Sequence, residues 1–213
     1  MNYTNSITSM HLDVLREIGN IGAGHAATAL SKLLNRKVDM KVPDVRIVSF
    51  DEMMELAGGD ENIVVSVFLR IEGDAPGNMF FLLPTEQAAA FVHQLTGDDT
   101  ITFDEPPYSE MGLSAMQEVG NILSGSYLSS LANFTNLTLA PSVPALSIDM
   151  AGAIVSYGLI ELSQKSDYAI VIDTSFKDAE SGFDFGFNGH FFLLPDPDSF
   201  ETIFRSLGVP QNG

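Results

Sequence analysis

One segment of this 213-residue chain is written twice, and that duplication limits the folds open to it more than any other feature. Residues 12–22 read Leu-Asp-Val-Leu-Arg-Glu-Ile-Gly-Asn-Ile-Gly, and residues 113–123 read Leu-Ser-Ala-Met-Gln-Glu-Val-Gly-Asn-Ile-Leu. At a constant offset of 101, Glu17 matches Glu118, Gly19-Asn20-Ile21 matches Gly120-Asn121-Ile122, Gly24 matches Gly125 and Pro43 matches Pro144. Farther on, Phe80-Phe81-Leu82-Leu83-Pro84 recurs as Phe191-Phe192-Leu193-Leu194-Pro195, now at an offset of 111, which implies ten extra residues in the second copy. Two copies are too few for a solenoid, so a pseudo-two-fold domain is expected.

Each copy shows the same coarse order. A long helix (9–34 and 107–133) is indicated by apolar residues at helical spacing. A strand interrupted by proline follows (36–49 and 136–149), then a short helical piece, two β-rich runs and a closing helix. Asp74-Ala-Pro-Gly77 reads as the turn of a hairpin. Gly97 stops the first closing helix; Asp196 is a candidate N-cap for the second, with Pro197 at its first position and Gly208 and Pro210 beyond its end. The expectation is an α+β fold: one composite domain over 1–213, with repeats at 9–96 and 108–207 and an acidic connector at 97–107. Its antiparallel sheet is shared across a pseudo-dyad and carries two long motif-bearing helices.

On the first helix Asp13, Glu17, Asn20 and Gly24 fall within about 60° of one another, and Leu15, Ile18, Gly22, Ala26, Ala29 and Leu33 form the expected buried stripe. Ser114, Glu118, Asn121 and Gly125 repeat the outward row, opposite Met116, Val119, Leu123, Tyr127 and Ser130. A single Glu and Asn on a solvated helix face are ordinary. Here the outward Glu, Asn and Gly agree between copies while buried side chains have changed, although exposed positions tolerate substitution most easily. Glycine is also a poor helix former, and an outward Gly24 or Gly125 offers another surface a bare backbone to approach.

Charge narrows the ligand classes. Ten Lys plus Arg against 28 Asp plus Glu give a net charge of −18, so nucleic acid and anionic membrane surfaces are expected not to be partners. With no cysteine there is no disulfide, thiolate metal site or Cys nucleophile. The four histidines show no paired metal spacing, and no metal site is expected. The partial dinucleotide-like run Gly22-Ala-Gly24 lies inside a helical pattern, and the serines lack a nucleophile elbow. The start lacks the charged and apolar regions of a secretory signal, so the expectation is a cytoplasmic protein.

The doubled motif resembles that of the CheC-type phosphatases of bacterial and archaeal chemotaxis, a family that includes CheX and FliY. Its signature is Asp or Ser, three residues, Glu, two residues, Asn, then about two dozen residues to a Pro. Asp13, Glu17, Asn20 and Pro43 match it once; Ser114, Glu118, Asn121 and Pro144 match it again. Two motifs in one chain favour the CheC branch. The resemblance implies dephosphorylation of a phosphorylated CheY-type response regulator. Asn20 and Asn121 would position the hydrolytic water, and Glu17 and Glu118 would dock the regulator. Asp13 and Ser114 would support the docking edge, and Pro43 and Pro144 would shape the strand beneath. No cofactor of its own is implied, Mg being expected on the phosphorylated partner. A monomer is expected, with two competent sites. The alternative is a non-catalytic adaptor for the regulator or for the receptor deamidase CheD, with residues 145–165, where the copies diverge, as the candidate contact.

Overall fold

The computed structural model describes residues 7–159, 168–178 and 184–208. Helix α1 (Ser9–Leu34) begins at Thr8, whose backbone N–H donates to His11 Nδ1 at 2.9 Å. It ends at Asn35, left-handed at φ 51°. Helix α4 (Glu110–Thr135) repeats that ending at Asn136, φ 55°, after a start where Ser109 Oγ accepts from Gly112 N–H at 3.3 Å. A proline loop divides the strand after each helix, giving β1 (Val38–Lys41) and β2 (Val45–Ser49) in the first copy and β5 (Leu139–Pro141) and β6 (Ala145–Met150) in the second. Short helices α2 (Phe50–Leu56) and α5 (Ala151–Leu159) come next. The hairpins β3 (Ile63–Gly73) with β4 (Gly77–Pro84) and β7 (Tyr168–Asp178) with β8 (Asp184–Pro195) follow, closed by α3 (Thr85–Thr96) and α6 (Pro197–Ser206).

The strands form one antiparallel sheet in the order β1-β7-β8-β4-β3-β5, with β2 also on β7 and β6 also on β3. Each copy's divided strand therefore pairs with the hairpin of the other copy. Val38 opposite Asp178 is answered by Leu139 opposite Gly73, and Val45 opposite Ile172 by Leu146 opposite Val67. Helices α1, α3, α4 and α6 cover one face of the sheet, burying Leu15, Ile18, Met116, Val119 and Phe204 on it; α2 and α5 cover the other with Met53, Ile154 and Val155. No helix among the described residues is long and apolar enough to cross a membrane.

Strand pairing corrects the equivalence that the repeated Phe-Phe-Leu-Leu-Pro string suggests. Val65 opposite Leu83 corresponds to Ile170 opposite Leu193, so the offset is 105 at β3/β7 and 110, not 111, at β4/β8. Phe81 is thus equivalent to Phe191. These two residues pair directly on the pseudo-dyad with rings stacked at 4.5 Å. A run apolar on both faces reads alike in either register; the alternation of faces decides, since a slip of one would send Phe191 to the wrong side.

The two long helices cross above this pair. A Cβ on Gly22 would lie 3.0 Å from the Tyr127 ring and 3.1 Å from its Cα, so glycine there permits backbone contact. Tyr127 packs on Phe191 at 4.7 Å and its hydroxyl lies 2.9 Å from Thr174 Oγ1; burial pushes that phenol well above its usual pKa. The crossing also turns the buried stripe of α1. It starts at Leu15 and Ile18 and shifts towards Ala23, Ala27 and Leu30 where the helix settles on β1. Leu33, expected on that stripe, is consequently 42% exposed.

One end signal behaves differently from expectation. Asp196 stands at the N-cap of α6, but its carboxylate pairs with the Arg70 guanidinium, and its backbone oxygen accepts from Ser199 N–H at 2.8 Å instead. Pro210 lies outside the described residues. The acidic connector is anchored: Ile101 and Phe103 are buried at the start of α4, and the Ile101 carbonyl lies 2.6 Å from His93 Nε2.

Phe191→Ala, which opens a cavity on the dyad, is expected to cost ~3–5 kcal/mol in urea unfolding. His11 is buried against Phe204 at 4.5 Å, and burial holds its pKa below the ordinary value. The folded state therefore binds fewer protons than the unfolded one below about pH 6.5, so this contribution is complete above that pH and is lost as pH falls through it. Unfolding measured between pH 7.5 and 5.5 should show a smaller acid loss in His11→Gln than in the parent.

Candidate active site

The outward rows stand where the sequence places them, on the faces of α1 and α4 turned away from the sheet. Asp13, Glu17 and Gly24 are exposed on α1; Ser114, Glu118 and Asn121 are exposed on α4, with Gly125 half-buried. Asp13 pairs with Arg16 at 3.1 Å, one turn along, in a solvent-exposed contact worth little stability. In the second copy Ser114 and Gln117 occupy those positions.

The asparagines differ. Asn20 is half-buried and its amide is fully engaged: Oδ1 accepts from Val42 N–H at 3.0 Å, while Nδ2 donates to the Arg16 carbonyl at 3.0 Å and to the Val42 carbonyl at 3.3 Å. The side chain thus pairs with one residue of the proline loop as a neighbouring strand would. Asn121 is exposed, and among the described residues its amide has no hydrogen-bond partner.

The loops explain the difference. Val42, just before Pro43, is 2% exposed and packs on Gly19, where a Cβ would come within 3.3 Å of it. Its equivalent Val143, just before Pro144, is 84% exposed. Gly120 rests instead on Val67 of β3, where a Cβ would come within 2.5 Å. The second loop is held from elsewhere: Ser142 exchanges hydrogen bonds with the Arg70 backbone at 2.8 and 3.0 Å, and Gln117 Nε2 donates to the Pro144 carbonyl at 3.3 Å. With Val143 turned out, no loop backbone group is hydrogen-bonded to Asn121 among the described residues. Pro43 and Pro144 both border their sites, the former exposed and the latter half-buried. Sequence reasoning named the prolines and missed the valines before them; an identical Val-Pro in both copies carries no sign that one side chain is buried and the other exposed.

Chemically, Asn121 offers an unengaged donor and acceptor on a convex helix, with a carboxylate one turn before it and a glycine one turn after. Among the described residues no group of three or more His, Asp or Glu side chains is placed to hold a metal. Helices that present such a face suit chemistry completed by a second protein.

Comparison with known proteins agrees with this arrangement. The CheC-like family model matches residues 10–47 and again 111–148, so each match runs from the motif helix through its proline loop. The chain is 49% identical over 209 residues to the CheY-P phosphatase CheC of Bacillus subtilis strain 168, covering 98% of this chain and 99% of that one. It is 31% identical over 142 residues to the flagellar motor switch phosphatase FliY of the same organism, covering 67% of this chain and 36% of that one. In fold it resembles the crystal structure of Thermotoga maritima FliY, with TM-score 0.71 and 21% identity over 95% of this chain and 98% of that one. The fold is that of a duplicated α+β protein with paired motif helices. The chain belongs to the CheC-like family.

Asn20→Ala removes a side chain that satisfies both polar groups of the buried Val42 backbone, so it is expected to cost ~1–3 kcal/mol in chemical denaturation. Asn121→Ala, chemically the same change, should stay within about 0.5 kcal/mol of the parent.

Proposed function

We propose that this chain is a phosphatase that hydrolyses the aspartyl phosphate of a CheY-type response regulator, with Asn121 and Asn20 orienting water and Glu118 and Glu17 docking the regulator. The observation that carries this reading is the Glu-x-x-Asn pair, presented on outward helix faces in both copies and fully exposed in the second, in a chain with a near full-length CheY-P phosphatase relative. An aspartyl phosphate is a mixed anhydride, so its hydrolysis needs no covalent nucleophile from the phosphatase. Mg held by the regulator would supply charge neutralisation at the phosphoryl oxygens, which leaves this chain to align a water in line with the departing carboxylate. A carboxamide can accept from that water while donating towards a phosphoryl oxygen. A carboxylate beside phosphate would repel it, so Glu17 and Glu118 serve better by pairing with a cation on the regulator. This chain supplies no cofactor to the step, and it works in the cytoplasm as a monomer.

The two sites are proposed to be unequal. Asn121 meets the regulator with its amide free. Asn20 has first to release Val42 and Arg16, and the energy that holds it there opposes catalysis. The second site therefore turns over faster.

Capture of the regulator without turnover is the competing reading. CheD is proposed as a second partner at the described part of the 145–165 region, where β6 is an edge strand and Met150 is 43% exposed.

Phosphorylated regulator mixed with substoichiometric protein should lose phosphate faster than it does alone. Asn121→Ala should remove most of that acceleration, Asn20→Ala a smaller part, and the double variant all of it, with losses on the order of 10²-fold at the dominant site. Retention of phosphate in stoichiometric complexes would instead establish the adaptor reading.

A further inference from the structure

Each motif helix carries a line of residues that extends well past the Glu-Asn pair. Met10, Glu17 and Gly24 are spaced by seven on α1, and Met111, Glu118 and Gly125 are spaced by seven on α4. Seven residues fall within about 20° of two full turns, so each set forms one straight ridge, about 21 Å long, with the carboxylate at its middle. The methionines at one end are 58% and 59% exposed, although each belongs to the first turn of a helix whose other face is packed. The glycines at the other end are equally unexplained from within the chain.

The remaining glycines of α1 and α4 each have an internal reason. A Cβ on Gly19 would press on Val42, on Gly22 it would meet Tyr127, on Gly112 it would lie 2.8 Å from Ile101, and on Gly120 it would strike Val67. A Cβ on Gly24 or Gly125 would meet nothing within 4 Å. Glycine in a helix interior weakens the helix relative to alanine, and here nothing in the fold requires it. The same exposed methionine and the same unsupported glycine, at the same distances from Glu, occur in both copies.

We infer that Met10/Gly24 and Met111/Gly125 are docking residues for the regulator's receiver domain, which lies along the whole ridge. Its surface meets bare helix backbone at the glycine and covers the methionine at the far end. The inference rests on the phosphatase reading, because the carboxylate in the middle of the ridge is the group that reading places on the regulator. The repetition of both ends around each Glu indicates one ligand for both helices. Methionine suits the far position, being apolar and able to adapt its shape to a partner. Glycine suits the near one, since a methyl group there would hold the two surfaces apart.

The test compares the full-length parent, the Gly24→Ala/Gly125→Ala pair and the Met10→Ser/Met111→Ser pair. Thermal unfolding is measured on each, and phosphate loss is followed over a range of phosphorylated-regulator concentrations. The alanine pair should melt no lower than the parent, with KM raised about fivefold or more and kcat changed by less than about twofold. The serine pair should show the same KM rise, and Met10→Leu/Met111→Leu should restore the parent value. An unchanged KM in either pair overturns the inference, as does a lowered melting temperature in the alanine pair, which would make the glycines structural. A parent that does not accelerate phosphate loss overturns the phosphatase reading as well. That failure appears in the parent alone, before any variant is compared.

Discussion

The structure depends on an exchange of strands. Among the described strands, β1 and β2 have no partner in their own copy and lie on β7; β5 and β6 lie on β3. A two-stranded hairpin is marginal in water, and each copy without the exchange would be little more than a hairpin with helices attached. Crossing over completes a sheet of eight strands and leaves neither copy with a core of its own. It also decides where the repeated motif lies. The dyad runs through Phe81 and Phe191, so α1 and α4 have to cross on one face of the sheet, and their outward rows become surface.

Within that symmetric frame, one side chain makes the two sites different. Where Val42 is packed into the core, its backbone is brought against α1 and Asn20 closes the contact; where Val143 is left exposed, Asn121 has no hydrogen-bond partner among the described residues. The same asparagine is thus tied to the proline loop on one helix and exposed on the other. Other symmetric positions have diverged in the same way. Phe68 and Phe80 pack their rings at a tilt, 4.9 Å apart, across β3 and β4, while the equivalent pair on β7 and β8 is Asp173 and His190, with Nδ1 2.7 Å from Oδ1 and Arg46 on the other carboxylate oxygen. His190, Arg46 and their hydrogen bonds hold the Asp173 carboxyl below its usual pKa against the opposing effect of burial.

Much of this was legible in the chain. The duplication implied the pseudo-dyad, and periodicity placed both long helices to within a few residues, with the repeated Glu and Asn on their outward faces. The losses have physical causes. A strand buried on both faces has no polar alternation to fix its register, so the literal repeat of Phe-Phe-Leu-Leu-Pro was one residue out. Leu33 followed the helical period but not the turning of the stripe that comes from crossing α4. Asp196 had the form of a cap, yet Arg70, distant in sequence, took its carboxylate. The engagement of Asn20 depended on a valine 22 residues away, and no local pattern announces such a contact.

An amide poised over the regulator's phosphoryl group is the centre of this account, and an isosteric replacement addresses it most directly. Asn121→Asp keeps the shape of the side chain, removes both N–H donors and brings a negative charge to the phosphoryl oxygens. The decisive measurement is the single-turnover rate of phosphate loss from a regulator saturated with the Asn20→Ala protein, with and without that further change. The account predicts that the rate falls to that of the regulator alone while the protein remains folded. A rate that stayed at the value of the Asn20→Ala protein would contradict it.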